Sequence, residues 1–262
     1  MRINDQDEIE LDDSGKMSFL DHLEELRHRL IVSFSAVGIA FLLCWAYARQ
    51  IYHFLAIPIT QNLAGGKLVF TNPTDPFTIY MKVALIVGIF VASPVVLWQV
   101  WLFVSPGLYR HEKKYALPFI FFSSLLFIMG GLFAYKIAFP LSLKFLISLG
   151  DDFQPMVTIT EYLDLALVVI LGCGIIFEIP ILIFFLTILG VVNARFLLKN
   201  LRYAILVIFV VAAVLTPTSD IPNMLIFAMP MLLLYMVGII VSWIFGRKRK
   251  KKQDSESLEQ KP

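Results

Sequence analysis

Polar stretches long enough to build a soluble domain are nearly absent from this 262-residue sequence. The longest are the first 30 residues and the last 17, and neither can bury a hydrophobic core. Apolar residues make up 58% of the chain and the mean hydropathy is +0.78, whereas apolar residues approach half of a soluble domain. The composition therefore indicates a membrane protein that crosses the bilayer several times.

Cysteine and catalytic motifs are equally scarce. The two cysteines, Cys44 and Cys173, both fall in apolar segments, which favours buried free thiols over a disulfide. Residues 111–115 begin like the zinc-protease motif HExxH but lack its second histidine. A nucleophile elbow, a Walker loop and a CxxC motif are also missing. We therefore expect no enzymatic activity, no metal and no cofactor.

Six apolar segments are candidates to cross a bilayer as helices, a crossing that needs about 20 residues. Prolines inside the second, fourth and sixth segments (Pro94, Pro180 and Pro230) predict kinked helices. The fifth segment is short, and an alternative is that residues 196–245 form one re-entrant pair that never crosses fully. The predicted spans are residues 30–48, 77–104, 115–139, 163–189, 203–215 and 223–245.

Basic residues are distributed unevenly between the connecting segments. With both termini inside, 17 of the 22 Lys and Arg residues lie on the inner face, as the positive-inside rule requires. The basic run 247–252 is typical of a stop-transfer segment that binds anionic lipid, and nucleic-acid binding is the weaker alternative. We predict an acidic, disordered extension over 1–17, a membrane domain over 18–246 and a basic, then polar, cytoplasmic tail over 247–262.

One acid, Glu178, is isolated in the segment 165–194, which contains no other Asp, Glu, Lys, Arg or His. Near the membrane midplane a charged side chain costs roughly 2.5–3.5 kcal/mol or more, so this acid must be neutral, paired or awaiting a partner. One alternative is a proton-coupled solute transporter that uses Glu178 as its proton carrier. Such transporters usually have paired repeats or several intramembrane ionisable groups, and the sequence shows neither.

Two further acids lie within basic segments of the predicted inner face. Glu25 precedes Arg29 by four residues, a spacing that favours an ordinary helix salt bridge. Glu112 lies at the start of the third span, where an acid complements the helix dipole. The alternative for both is binding of a cationic ligand, because a carboxylate offers two planar oxygens to a guanidinium. A purely structural scaffold would leave the acids in both basic segments unexplained.

Several short segments together resemble a known family. They are residues 22–30 (HLEELRHRL), 99–113 (QVWLFVSPGLYRHEK), 133–135 (FAY), 139–141 (FPL), 177–180 (FEIP) and 215–217 (LTP). In this order they resemble TatC, the multispanning core of the twin-arginine protein translocase. The resemblance extends from about residue 18 to residue 243. It implies an all-α integral membrane protein in which six kinked transmembrane helices form a concave, glove-like bundle, with both termini in the cytoplasm of a bacterial cell.

The resemblance implies a receptor in the inner membrane that binds the twin-arginine signal peptides of folded proteins. Its implied partners are TatA and TatB, or one bifunctional TatA, further copies of the chain itself and the lipid bilayer, with export driven by the proton-motive force. No nucleic-acid partner is implied. Glu25 and Glu112 match the carboxylates that bind the arginines, and Phe103 and Arg27 match residues of the same inner-face patch.

The resemblance also assigns roles to three residues away from that patch. Glu178 matches the family's intramembrane acid, and we hypothesise that it stays largely protonated and hydrogen-bonds a partner's membrane helix. Pro58 and Asp220 match outer-side positions at which changes disturb function. The turn over 216–220 is one residue longer than the commoner Pro-Pro-Asp form. Because Glu178 is expected to bond a partner's membrane helix, we expect it to be a docking point and not a catalyst.

Overall fold

The computed structural model describes residues 19–60, 68–104, 116–149, 157–216, 218 and 220–259. Within these ranges the regular structure is helical, apart from one parallel bridge between Val69 and Thr158. The helices are α1 (Phe19–Ala46), α2 (Ala48–Thr60), α3 (Asp75–Val104), α4 (Ala116–Phe133), a π-helical segment (Ala134–Ala138), α5 (Phe139–Ser148), α6 (Ile159–Phe177), α7 (Ile179–Ile188), α8 (Ala194–Lys199), α9 (Leu201–Leu215) and α10 (Ile221–Glu259).

Five helical stretches in the described part of the chain are long and apolar enough to cross a membrane. They are His22–Ala46, Asp75–Phe103, Pro118–Ser148, Ile159–Ile188 and Ile221–Gly246. A shorter apolar helix, α9, has 15 residues, a length of about 22 Å against a hydrocarbon core of about 30 Å. Each of the six predicted spans is therefore present as a helix, and the fifth is the short one, as predicted.

The third span ends later than the sequence predicts. It continues from α4 through the π-helical segment into α5 and ends at Ser148, not near residue 139. The N–H of Phe139 donates to the carbonyl of Ala134, five residues earlier, and Pro140 occupies the first turn of α5. The wider π turn accommodates the proline, which lacks an N–H, without ending the helix.

Two helices, α2 and α8, lie outside the predicted spans. After a one-residue break at Tyr47, the chain continues from α1 into α2. The N–H of Tyr47 donates to the carbonyl of Cys44, and the N–H of Ile51 donates to the carbonyl of Tyr47, both over 3.0 Å. The break separates the first span from α2, the helix that carries Pro58.

The main hydrophobic cluster lies at the end of the bundle that contains α2. Five of its members come from five different helices and have at most 1% of their surface exposed: Ile59, Ile79, Phe139, Leu163 and Phe227. Because these side chains come from α2, α3, α5, α6 and α10, the cluster holds the first and last parts of the chain together.

Small residues let α4 and α6 approach closely. A Cβ added at Gly130 would lie 2.5 Å from the carbonyl oxygen of Cys173, so the backbones are in direct contact there. Ser123, Phe127 and Gly130 recur at helical spacing and are all buried. Lipid tails are as apolar as the helix surfaces, so the hydrophobic effect does not drive helices together in a membrane. Close packing of this kind does so instead. It also directs Ser123 toward the end of α6.

Candidate functional site

Side chains from α1 and α3 meet at the end of the bundle where α1 begins and α3 ends. Arg29 donates from Nη2 to Oε1 of Glu25 over 3.1 Å and from Nη1 to Oε1 of Gln99 over 3.4 Å. One turn farther toward the helix ends, the ring of His22 stacks on Phe103, with centroids 4.4 Å apart and planes 16° from parallel. We call these five residues the α1–α3 patch.

Glu25 is only half satisfied in this patch. Its side chain is 16% exposed, and its second oxygen, Oε2, is buried and has no hydrogen-bond partner among the described residues. The Nε of Arg29 is in the same condition. A buried carboxylate oxygen without a donor is costly. The helix salt bridge that the spacing favoured is therefore present, and it leaves one acceptor position open to a further donor.

Arg27 was also expected in this patch, and the structure places it elsewhere on α1. Arg27 is exposed and follows Glu25 by two residues, which places it about 200° away around the helix. It therefore lies on another side of α1 and is not brought together with Glu25 and Phe103. Glu112 falls outside the described residues. Gln99 and His22 were not predicted as site residues, because neither type signals a role without the contacts that the fold creates.

Glu178 lies at a break in the fourth span, between the last residue of α6 and the first of α7. Its N–H donates to the carbonyl of Ile175 over 3.1 Å, a tighter turn than that of an α-helix. Pro180 stands in the first turn of α7, where its missing N–H is tolerated. The kink predicted at this proline is confirmed, and the break turns the acid toward α4.

The carboxyl group of Glu178 is bonded on one side only. The hydroxyl of Ser123, which is fully buried, donates to its Oε2. The other oxygen, Oε1, is buried and has no hydrogen-bond partner within the described ranges. The sequence indicated Glu178 but not Ser123, because 55 residues separate them and one serine in an apolar span is unremarkable by pattern. The site is a carboxyl group with one open position inside the bundle.

An ion pair that the sequence did not predict joins the second and fourth spans. The Nζ of Lys82 lies 2.6 and 2.8 Å from the two carboxylate oxygens of Asp164. The two side chains are 37% and 44% exposed, so the pair contributes little to stability. The pair is a contact between α3 and α6 near the start of both helices.

Pro58 lies inside α2, where its missing N–H leaves the carbonyl of Phe54 without a helical donor. Two tyrosines from other spans donate to carbonyls of this turn. The hydroxyl of Tyr135 donates to the carbonyl of Phe54 over 2.6 Å, and that of Tyr162 donates to the carbonyl of Leu55 over 3.0 Å. Phe54 lies four residues before Pro58, so its carbonyl is the one that an N–H at position 58 would have bonded. Pro58 thus ties α2 to the third and fourth spans.

We expect Tyr135→Phe to lower the free energy of unfolding by about 1–3 kcal/mol, because the carbonyl of Phe54 then loses its donor. In a Pro58→Ala background the loss should shrink, since the alanine N–H can bond that carbonyl. Unfolding in detergent measures both values, with Tyr47→Phe, an exposed tyrosine, as the control. Equal losses in the two backgrounds would show that the proline has no part in the contact.

Asp220 caps the start of α10. Its Oδ1 accepts from the N–H of Asn223 over 2.8 Å, and its Oδ2 accepts from the side-chain amide of Asn223 over 3.0 Å and from the hydroxyl of Thr218. Acceptance from the third residue of the helix is the usual role of an N-cap aspartate. These donors, the Thr218 hydroxyl first, hold the pKa of Asp220 below its ordinary value. The longer turn in this chain is thus closed by a polar network around the aspartate.

Asp220→Ala should lower the melting temperature of the purified protein, and Asp220→Asn should lower it less, because an amide oxygen still accepts from the N–H of Asn223. The folded pKa is depressed. The ionised carboxylate's contribution is therefore present above its ordinary pKa and is lost as the pH falls through the depressed value. Thermal denaturation between neutral pH and pH 3 should show a steeper acid loss for the wild type than for Asp220→Asn. Parallel curves would rule this role out.

Comparison with known proteins gives a consistent result. A family model described as TatC, Sec-independent protein translocase protein, matches residues 21–230. The Sec-independent protein translocase protein TatC of Koribacter versatilis is 53% identical over 241 residues, which cover 90% of this chain and 89% of that protein. The corresponding protein of Desulforapulum autotrophicum is 38% identical over 236 residues, which cover 89% of this chain and 87% of that protein.

Two solved structures are similar over most of the chain. A crystal structure of the twin-arginine translocase receptor TatC has a TM-score of 0.74 at 38% identity and covers 84% of this chain and 97% of that one. A second crystal structure of this receptor, in DDM, has a TM-score of 0.76 at 37% identity and covers 84% and 99%. The matched range of the family model includes all the candidate site residues described above.

Proposed function

Because this chain belongs to the TatC family of Sec-independent protein translocase proteins, we propose that its α1–α3 patch, together with Glu112, binds the arginines of twin-arginine signal peptides. Family membership makes the chain a multi-pass protein of the inner membrane and a receptor component of the Tat translocase. It is a transport protein and not an enzyme, as the sequence predicted. The predicted fold class, an all-α membrane protein with six transmembrane helices, is likewise confirmed.

The observation that carries the binding proposal is the open Oε2 of Glu25 beside an aromatic ring. Arg29 already places a guanidinium against this carboxylate, so the patch has the size and geometry to hold one. A guanidinium can bond two carboxylate oxygens at once and stack on an aromatic face such as that of Phe103. An ammonium is a compact point charge, so lysine should be the poorer ligand.

We place the α1–α3 patch and both termini on the cytoplasmic side. This orientation is supported by the distribution of the basic residues, 17 of 22 of which then face inward. Residues 18–246 form the membrane domain in this proposal, 1–17 form an acidic extension, and 247–262 form a basic cytoplasmic tail. The signal peptide of a folded protein in the cytoplasm can therefore reach the patch directly.

For assembly, we propose TatA and TatB, or a single bifunctional TatA, as partners, together with further copies of this chain. Glu178 supports the choice of a membrane helix as the partner, since its Oε1 has no hydrogen-bond partner in the described part of the chain and Ser123 occupies only the other oxygen. Hydrogen bonds between helices in a bilayer are worth about 0.6–2 kcal/mol each. One polar group on a partner helix would thus add a specific contact to apolar packing.

Photocrosslinking in membrane vesicles tests the receptor assignment. A photoreactive amino acid at position 23, where the native Leu23 is 45% exposed next to His22, should crosslink to a twin-arginine signal peptide. The product should disappear when the peptide's arginines become lysines or when Glu25→Gln is introduced. The same probe at His53, exposed on α2 at the other end of the bundle, is the control. Crosslinking that persists without the arginines would refute the assignment.

A further inference from the structure

The positions that a signal arginine would take in the α1–α3 patch are already filled by the chain's own side chains. Arg29 lies on Glu25, and the ring of His22 covers a face of Phe103. Resting on the proposed function, we propose that Arg29 is a built-in placeholder: in the free receptor it occupies the carboxylate that a signal arginine takes, and it leaves when the signal binds.

The geometry of the contact suits a placeholder. Arg29 reaches Glu25 through one nitrogen and one oxygen, at 3.1 Å, and leaves Oε2 of the glutamate and its own Nε without partners among the described residues. Its second bond, to Gln99, is long at 3.4 Å. An arginine from outside the chain can approach end-on and bond both carboxylate oxygens, which Arg29, on the same helix turn, does not do. The pair between Glu25 and a signal arginine is therefore stronger than the pair between Glu25 and Arg29.

A placeholder avoids the cost of an unpaired Glu25 carboxylate in the receptor without its signal peptide. Glu25 is mostly buried, with 16% of its side chain exposed, and an unpaired carboxylate there would be costly. Arg29 pairs with the carboxylate and orients it. When it is displaced, its 26% exposed side chain sits near the start of a span, where a long arginine can extend to the lipid headgroups. One guanidinium is thus exchanged for another.

His22 occupies the face of the Phe103 ring in the same way that Arg29 occupies the carboxylate of Glu25. It lies three residues before Glu25, and Arg29 lies four residues after it, so both stand on the same face of α1. The His22 ring is nearly parallel to Phe103, in the position that a stacking guanidinium would take. A single peptide that runs along this face would displace both side chains.

The test uses full-length protein in lipid nanodiscs and a fluorescent twin-arginine signal peptide. Arg29→Gln should lower the dissociation constant about three- to tenfold, because the peptide no longer competes with an internal cation. Arg29→Met, which keeps the apolar stem, should do the same, and Arg29→Lys should gain less. Arg195→Gln removes the same charge from another segment and controls for general repulsion. The gain should be smaller for a twin-lysine peptide, which cannot bond both oxygens.

The gain must also depend on Glu25. In the Glu25→Gln background, Arg29→Gln should change the affinity by less than twofold. If Arg29→Gln and Arg29→Met weaken binding or leave it unchanged while Glu25→Gln abolishes it, the placeholder is wrong and the receptor site stands. If Arg195→Gln gains as much as Arg29→Gln, the effect is general charge and the placeholder is again wrong. If Glu25→Gln does not affect binding, both proposals fail.

Discussion

Replacing Glu25 and Glu112 together by glutamine is expected to lower the affinity for a twin-arginine signal peptide by at least about a hundredfold. Removing one member of a buried, hydrogen-bonded charge pair costs about 2–5 kcal/mol in an interface. The glutamine side chain keeps the shape and removes only the charge. Glu25→Gln alone should lower the affinity by less than the loss of a full contact. The substitution also leaves Arg29 without its partner in the free protein, and this cost offsets part of the loss in the complex. Fluorescence anisotropy in nanodiscs measures both variants.

Glu24 provides a matched control for this prediction. It is the preceding residue, carries the same charge and is exposed on another side of α1. Glu24→Gln should therefore change the affinity by less than about twofold, as expected for an exposed charge. If Glu24→Gln and Glu25→Gln weaken binding equally, the peptide is attracted by the net charge of this segment and not by a specific carboxylate.

Glu178→Leu is expected to reduce the association of a TatA- or TatB-type partner about threefold to thirtyfold while leaving signal-peptide affinity unchanged. Leucine cannot accept a hydrogen bond, so the Ser123 hydroxyl and the partner's polar group both lose their acceptor. Glu178→Gln keeps an oxygen in place and should retain most of the association. Co-purification of the partner from membranes, with signal binding measured on the same samples, tests both effects.

Ser123→Ala separates the two bonds of this carboxyl group. It removes only the internal donor, so partner association should fall less than in Glu178→Leu. Equal behaviour of Glu178→Gln and Glu178→Leu would contradict the hydrogen-bond role. Loss of signal binding in Glu178→Leu would show instead that the acid supports the α1–α3 patch through the fold.

The membrane spans could be predicted because hydropathy is a local property. The second span matches its prediction almost residue for residue, since 77–104 is predicted and Asp75–Val104 is observed. The missed elements carry charge within the helix: α2 contains Arg49 and His53, α8 contains Arg195 and Lys199, and the extension of the third span contains Lys144. A hydropathy pattern ends a span at such residues. The π-helical turn that accommodates Pro140 depends on packing and has no sequence signature of its own.

The acids of the site could also be predicted, but their partners could not. Glu178 was evident from its isolation, and the Glu25–Arg29 bridge follows from a spacing of four residues. The contacts of Gln99 and Ser123 join residues 70 and 55 positions apart. Such pairs are set by the crossing of α1 with α3 and of α4 with α6. Periodicity along one helix carries no information about which neighbour it meets.

The most direct test of the central claim is a double-mutant cycle between Glu25 and one arginine of the signal peptide. The receptor is wild type or Glu25→Gln, and the peptide carries arginine or its neutral isostere citrulline, with all four dissociation constants measured in nanodiscs. Direct pairing predicts a coupling energy of at least about 1.5 kcal/mol for one of the two arginines. A coupling energy of zero within error for both arginines would mean that Glu25 does not contact the signal.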